Sequence, residues 1–505
     1  MDNTIVNTYQ SNLSTRGTGS NSGQADVVEV YSVFGRQQAS SSAATGSQEL
    51  SRILMRFPIS DISADRTANS IPANGKVSFY LRLFDAKTSK TVPKNYKLVV
   101  QAVSRSWEEG DGLDLENYTD LTKNGSGSNW IRASKAAAWS SVGGDYHASP
   151  TYVQYFTGGL GNLDVDITAL VEQWIAGSKS NYGVGVRLTA SNEAYFSSSA
   201  GVDSGSVIQN PNGAKTSYYT KRFFARGSQY FFKRPVIEAR WDSTTQDDRA
   251  AFYFSSSLAT KSENLNTLYL YNYARGKLRN IPSVGTGHIY VSLYSGSSDN
   301  TEPSGSKLVL YDAETAMTGG HHDTGIYTCS VALTKSTSVT LETLYDVWHD
   351  NDGTEFFTGS IKPYTLRGST HAREPTYYLS ITNLQNSYMR DQNARFNLYV
   401  REKNWSPTIY TKAIASAPTE TIYSASYRVI RTIDGLEAVP FYTGSSNKHA
   451  TGLSYDVSGN YFDLDMSLLE PGYEYAFKFA FYDDELGSWQ EQNEQFKFRV
   501  DDYEH

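Results

Sequence analysis

Three groups of side chains have types and spacing that could carry chemistry. His321-His322-Asp323 offers two imidazoles and a carboxylate, a donor set that suits a metal ion. Glu108, Glu109, Asp111 and Asp114 cluster around Gly110 and Gly112, an oxygen-rich bend of the kind Ca²⁺ prefers. Asp463 with Asp465, and the run Asp483-Asp484-Glu485, could supply the paired carboxyls of a glycosidase. Each group also has a plainer reading. Adjacent histidines on a strand point to opposite faces, so they cannot close on one ion from regular β geometry. They come directly after Gly319-Gly320, and a solvated loop is expected there. The acidic bend does not match the pattern of a calcium-binding loop. Asp463 and Asp465 share one strand face, where acidic groups blunt edge pairing. The chain has no Gly-x-Ser-x-Gly elbow, Walker A loop, His-Glu-x-x-His helix or Cys-x-x-Cys pair. Its 8 histidines leave few candidates for acid–base work. The expectation is a protein that is not an enzyme and has no catalytic, metal or cofactor site.

Aromatic residues are the other chemically distinctive feature. Tyr contributes 37 residues, more than the 22 Phe and 8 Trp together, and suits half-buried sheets and wet interfaces. Trp130, Trp139 and Trp405 stand in polar sequence. They are expected to anchor subunit contacts, with stacking on sugar faces as the rival role. The single Cys329 excludes an intrachain disulfide framework and is expected to be a small buried apolar residue. The net charge is −8 with both signs mixed and no basic stripe, so no nucleic-acid partner is expected. There is no run of 18 or more apolar residues, hence no expected membrane helix. The stretch Met1-Asp2-Asn3-Thr4-Ile5-Val6-Asn7 does not read as a secretory signal.

The elements that must position these residues are mostly strands. Val77, Phe79, Leu81 and Leu83 alternate with polar residues, the period of a half-buried strand. Tyr96 to Val103 and Tyr182 to Leu188 read as further strands. One helix stands out: Ile167, Leu170, Val171, Trp174 and Ile175 fall on one face, Asp166 can cap it and Gly177 can end it. Residues 1–50 are rich in Ser, Gly, Thr and Asn. They read either as a polar arm or as the first hairpin of the adjoining domain. The polar run at 242–249 reads as a linker, and Arg367 to Glu374 as a second break. This divides the rest of the chain into domains at 51–242, 250–366 and 375–505.

A divergent repeat links the last two domains. Tyr345, Val347, Asp352, Gly353 and Glu355 recur at the same spacing as Tyr427, Val429, Asp434, Gly435 and Glu437. Asp-Gly suits a tight hairpin, since Gly accepts positive φ. Leu469-Glu470-Pro471-Gly472-Tyr473-Glu474-Tyr475 resembles the Leu-x-Pro-Gly-x-x-Tyr turn of fibronectin type III domains.

Residues 51–242 resemble the DNRLRE family of β-sandwich modules. The carrying motifs come in the family's order. They are Arg52-Ile53-Leu54-Met55-Arg56-Phe57, Ser106-Trp107-Glu108-Glu109-Gly110, Asp164-Val165-Asp166-Ile167-Thr168 with Val171 and Trp174, Asn181-Tyr182-Gly183-Val184, and Arg234-Pro235-Val236-Ile237-Glu238. The chain departs from the family by an insertion between Ser199 and Lys221. A wider resemblance, on Lys221 to Trp241, Leu265 to Tyr273 and Ser454 to Met466, is to virion structural proteins of marine, cyanophage-type contractile-tailed bacteriophages. Together these imply an all-β chain: an N-terminal DNRLRE-like jelly-roll or β-sandwich, then two tandem Ig/fibronectin-III-like β-sandwiches. The phage resemblance implies a structural part of the virion, assembled in the host cytoplasm. A tail, neck or baseplate position is expected. The implied partners are other virion proteins and further copies in a symmetric homo-oligomer. The rival expectation is a capsid decoration or fibre protein that binds host-surface glycan.

Overall fold

The computed structural model describes residues 1–10, 16–36, 46–88, 91–113, 119–124, 127–197, 206–297, 303–310, 313–334, 341–363, 376–403, 409, 419–443, 449–484 and 486–502. Strand is the dominant regular structure of these residues, joined by turns and loops, with two α-helices. The chain divides into a first compact unit, Met1–Asp242, and a second that takes up nearly all of the chain from Ser243 onward.

In the first unit the elements are β1 (Asp2–Asn7), β2 (Val27–Arg36), β3 (Gly46–Met55), α1 (Ile59–Thr67), β4 (Ser78–Leu83), β5 (Tyr96–Val103), β6 (Tyr146–Phe156), β7 (Leu163–Asp166), α2 (Thr168–Ile175), β8 (Val184–Leu188), β9 (Tyr218–Phe224) and β10 (Val236–Arg240). A large sheet has the order β6-β5-β8-β3-β2-β9, with β1 also paired to β3. A small sheet has the order β10-β4-β7. Among the described residues of 1–50, strands β1 and β2 and the start of β3 belong to the large sheet. β1 pairs antiparallel along the end of β3 and β2 pairs along its start.

Alternation builds the core between the sheets. Ile53 and Met55, Phe79 and Leu81, Leu98 and Val100, Val184 and Val186 all face inward and are buried. Fully burying each such side chain is worth about 1.5–3 kcal/mol. Helix α2 adds Leu170, Val171 and Trp174. Its N-cap is Ile167 rather than Asp166, which sits one residue earlier and accepts from the Thr168 N–H at 2.9 Å; Gly177 ends it with φ +71°. Arg66 on α1 clamps Glu172 on α2 through two bonds of 2.6 and 2.7 Å. Residues of β3 that point the other way, Leu50 and Leu54, join Ile5, Val103, Trp107, Trp130 and Trp139 in a second buried cluster. Two sequence motifs lock this region. The Trp107 indole donates to the Tyr182 carbonyl at 2.7 Å, and Asn181 donates to the Phe57 carbonyl at 2.8 Å. Gly183 next to them has φ +83°, and a Cβ there would lie 1.9 Å from the Met55 carbonyl oxygen.

The second unit holds two cores. The first is built on β11 (Asn266–Tyr271), β12 (Tyr273–Ala274), β13 (Lys277–Leu278), β14 (His288–Gly296), β15 (Met317–Asp323), β16 (Ile326–Val331), β17 (Thr343–His349) and β18 (Glu355–Ile361). Six of these strands form one antiparallel sheet in the order β11-β16-β15-β14-β17-β18. It encloses Leu268, Val291, Leu293, Tyr327, Cys329 and Trp348. The 3₁₀ turn Asp248–Ala251 touches both end strands, β11 and β18, so the sheet curls back towards itself around that turn.

The second core is a two-sheet sandwich of β19 (Tyr377–Ile381), β20 (Ser387–Met389), β21 (Asn393–Glu402), β22 (Ala425–Arg431), β23 (Glu437–Val439), β24 (Ser454–Asp456), β25 (Gly459–Asp465), β26 (Glu474–Asp483), β27 (Ser488–Glu491) and β28 (Phe496–Asp501). One sheet runs β19-β21-β25-β24 and the other β20-β28-β26-β22-β23, with β27 on β26. With the short strands β20, β23 and β27 left unlettered, the others taken in chain order are the A-B-E-D and C-F-G sheets of an immunoglobulin fold. The inner layer is aromatic: Phe396, Phe462, Phe477 and Phe498 stack or meet edge-on at 4.5–5.1 Å. The Pro471-Gly472 turn, with Gly472 at φ +86°, leads into β26. There the Tyr475 hydroxyl donates back to the Glu470 carbonyl at 2.8 Å, the tyrosine corner of this fold class.

The sequence repeat lies on two corresponding hairpins. Gly353 (φ +85°) turns β17 into β18, and Gly435 (φ +67°) turns β22 into β23. The buried faces differ. Tyr427 and Val429 enter the aromatic core, whereas in β17 it is Leu344 and Trp348 that do so, with Tyr345 and Val347 buried on the opposite face.

Candidate functional site

Exposed aromatic rings concentrate where the first unit's chain passes from β9 to β10. Inward residues of this stretch are core. Phe223 and Ala225 are buried, and the Lys221 ammonium is held by Asp85 and by the Gly159 and Gly161 carbonyls at 3.0 and 2.8 Å. Burial and these partners leave Lys221 no surface role. Outward residues are exposed, and Tyr230 with Phe231 forms a short ridge. Tyr219 is 52% exposed, Tyr230 46% and Phe231 58%, and Val236 stands partly exposed at the start of β10. The ridge is braced from within. Tyr230 meets Phe224 edge-on at 5.5 Å and Phe231 meets Phe232 at 5.4 Å. The Lys233 ammonium lies 5.6 Å from both the Phe224 and Tyr230 rings, and the Arg234 guanidinium 5.1 Å from Phe231. Arg234 is pinned in turn by its Nε bond to the Ser228 carbonyl at 2.9 Å. Pre-set aromatic and Arg side chains lose little rotamer freedom on contact and make strong anchors. The sequence carried the signal in Tyr230-Phe231-Phe232-Lys233-Arg234, aromatic residues beside cations with no alternation to bury them all.

The groups singled out for chemistry do not converge. His321 and His322 stand at the end of strand β15, not in a loop, because a bulge carries the β15–β16 pairing up to Asp323. His321 contacts Asn280 at 3.3 Å and the edge of Tyr327, while His322 meets Tyr269 edge-on at 5.3 Å. Of the acidic bend, Glu109 accepts from the Asp2 N–H at 2.8 Å and from Arg226 at 3.0 Å; Asp114 lies outside the described residues. Asp463 faces Arg395 across the strands at 3.1 Å, and Asp465 caps the turn after β25 by accepting from Ser467. Glu485 also lies outside the described residues. Among the described residues no three His, Cys, Asp or Glu side chains are placed to share a metal ion.

Two tryptophans are corrected by their burial. Trp130 is 0% and Trp139 6% exposed, and their indoles donate to the Ser206 and Asn129 carbonyls at 2.8 Å each. Distant segments cover them, which local polarity could not reveal. Neither can anchor a partner or stack on a sugar. Trp405 lies outside the described residues, as does the break at Arg367 to Glu374.

Buried charge in the second unit is structural in form. Asp346, fully buried, accepts from Arg249 at 2.6 Å and from the Trp348 indole at 2.8 Å. Arg249 also holds Asp247 at 2.8 Å and donates to the Tyr269 carbonyl at 3.2 Å, tying the turn to β11 and β17. Burial pushes the Asp247 carboxyl up to about 6 even with Arg249 beside it. The Cys329 thiol, 2% exposed, is pushed by burial to about 12.

No family model matches the chain, and no curated protein matches it. Two solved titin fragments align weakly. A substructure described as titin A168169 is 8% identical, covers 50% of this chain and 93% of its own, and gives a TM-score of 0.14. The titin Ig tandem domains A164-A165 are 9% identical over 42% of this chain and 80% of theirs, also at 0.14. A Salmonella alpha-2-macroglobulin mutant aligns over 94% of this chain and 26% of its own, with 7% identity and a TM-score of 0.14. Scores this low carry no argument, and the immunoglobulin arrangement of the last sandwich rests on its own strand order. No helix among the described residues is long and apolar enough to cross a membrane.

Proposed function

We propose that this chain is a structural component of a tailed-bacteriophage virion, placed in the tail, neck or baseplate and acting through subunit contacts. The observation that carries a contact role is the braced pair Tyr230 and Phe231, exposed in the connection between β9 and β10. A ridge of this kind meets a protein surface as a cluster of anchors. Repeated around a symmetric ring, even a modest contact is multiplied by effective concentration. Of the paired carboxylates, Asp463 is taken up in an ion pair with Arg395 and Asp465 in a turn cap. The glycan-binding reading loses two of its three candidate stacking tryptophans, since Trp130 and Trp139 are buried. Immunogold labelling of purified particles with an antibody to the ridge-bearing unit tests the proposal. Label at the tail, neck or baseplate is expected. A chain absent from mature particles overturns it.

A further inference from the structure

A polar cleft of about 590 Å³ opens on the outer face of the first unit's large sheet. Gln101 on β5 and Arg187 on β8 form its floor, because their neighbours Val100, Ala102, Val186 and Leu188 face the core. Arg105, Ser141 and Asp145 form the rim. The volume suits a small polar molecule.

The charges around this cleft do not balance. The nearest interior carboxylate, Glu193, is committed to Arg52 through bonds of 3.0 and 2.9 Å, and Arg52 spends its remaining arm on the Gly143 carbonyl at 3.0 Å. Arg187 has no carboxylate within ion-pair distance among the described residues. Its Nη2 donates to Gln101 Oε1 at 2.5 Å, its Nη1 reaches the Leu188 carbonyl only at 3.5 Å, and its Nε is buried without an acceptor. Arg187 and Arg52 lie against the same ring, Tyr146, at 5.4 and 5.9 Å, so two like charges share one wall. Burial, and then Arg52, hold the Arg187 guanidinium below the usual range. On the rim, Asp145 accepts from the Ser140 and Ser141 backbone N–H groups at 2.8 and 2.9 Å, and Arg105 stands 3.7 Å from it. Two guanidiniums, Arg187 and Arg105, therefore line the cleft with one carboxylate, Asp145, while the neighbouring Arg52 charge is already matched by Glu193. A half-buried guanidinium without a counter-charge is costly, and an oxyanion in the cleft would relieve it.

We infer that this cleft is an oxyanion-binding site that takes the carboxylate or sulfate group of a small polar molecule, with Arg187 as the principal contact and Arg105 on the rim. The inference does not depend on where the chain sits in any particle.

Titration of the full chain with malonate, sulfate and uncharged glycerol, monitored by calorimetry and by amide NMR shifts, tests it. Saturable one-to-one binding of malonate or sulfate in the millimolar range is expected, with glycerol silent. The tighter of the two anions assigns planar or tetrahedral geometry. Arg187→Gln should weaken binding at least about tenfold, the worth of one charge-assisted contact. Arg105→Gln should weaken it by a smaller factor, and this exposed rim variant decides the matter if Arg187→Gln fails to fold by circular dichroism. Absence of saturation with both anions overturns the inference. So does unchanged affinity in a folded Arg187→Gln, unchanged affinity in Arg105→Gln where that variant must decide, or shifts scattered over surface cations instead of the cleft.

Discussion

Replacing Arg249 by Met should open the middle sheet of the second unit. Arg249 is the only cation in ion-pair contact with Asp247 and Asp346 among the described residues, and these are 3% and 0% exposed. Methionine keeps much of the side-chain length but leaves both carboxylates stranded. Removing one partner of a buried ion network costs about 3–5 kcal/mol, far more than the pairs contribute over an apolar substitute. The loss should be local, so hydrogen exchange of the β17 amides, Thr343–His349, is the right assay. Their protection should fall by roughly two to three and a half powers of ten. The fall should be smaller at mildly acid pH, where Asp247 takes up a proton. Arg249→Lys should lie between, because an ammonium restores charge but not the fork that spans both carboxylates. A loss under about 1 kcal/mol, or one that ignores pH, would show that these carboxylates are solvated and refute the reasoning.

Three further outcomes are expected of the same structure. Asp247 holds its proton more tightly folded than unfolded, with values of about 6 against 3.8. Stability of the middle sheet should therefore be fully present below about pH 3.8 as far as this group is concerned, and fall as pH rises through about 6; Asp247→Asn should flatten that slope in denaturant titrations. Tyr475→Phe deletes the corner bond to Glu470 and should cost the last sandwich about 0.5–1.5 kcal/mol by urea unfolding; no loss would mean the corner is not holding the turn. Phe231→Ala with Tyr230→Ala should cost the monomer only about 1–2 kcal/mol, leaving it folded, while weakening self-association or particle incorporation by sedimentation, and equal assembly would remove the ridge from consideration.

The sequence was most legible where local spacing alone decides the outcome. The apolar stripe from Ile167 to Ile175 marked α2, and the alternation at Phe79 and Leu81 marked a core strand. The Pro471-Gly472 turn and Tyr475 announced the corner of an immunoglobulin-type sandwich. Helix α1 gave no such signal, because Ile59 is its only buried residue and the Arg66–Glu172 clamp that fixes it comes from far along the chain. Trp130 and Trp139 were misread for the same reason: their burial is supplied by residues remote in sequence. The Gly319-Gly320 pair looked like a loop, yet Gly319 sits in β15 where a Cβ would lie 2.5 Å from the Thr328 carbonyl oxygen. The unbalanced cleft was invisible in sequence, since Gln101, Asp145 and Arg187 meet only once three strands have paired.

Cys329 gives this molecule a built-in reporter. It is the chain's single thiol, sits within the middle sheet and is both covered and held in its protonated form. A thiol reagent can reach it only when that sheet parts. The rate of alkylation therefore counts openings of one region in an otherwise unmodified protein.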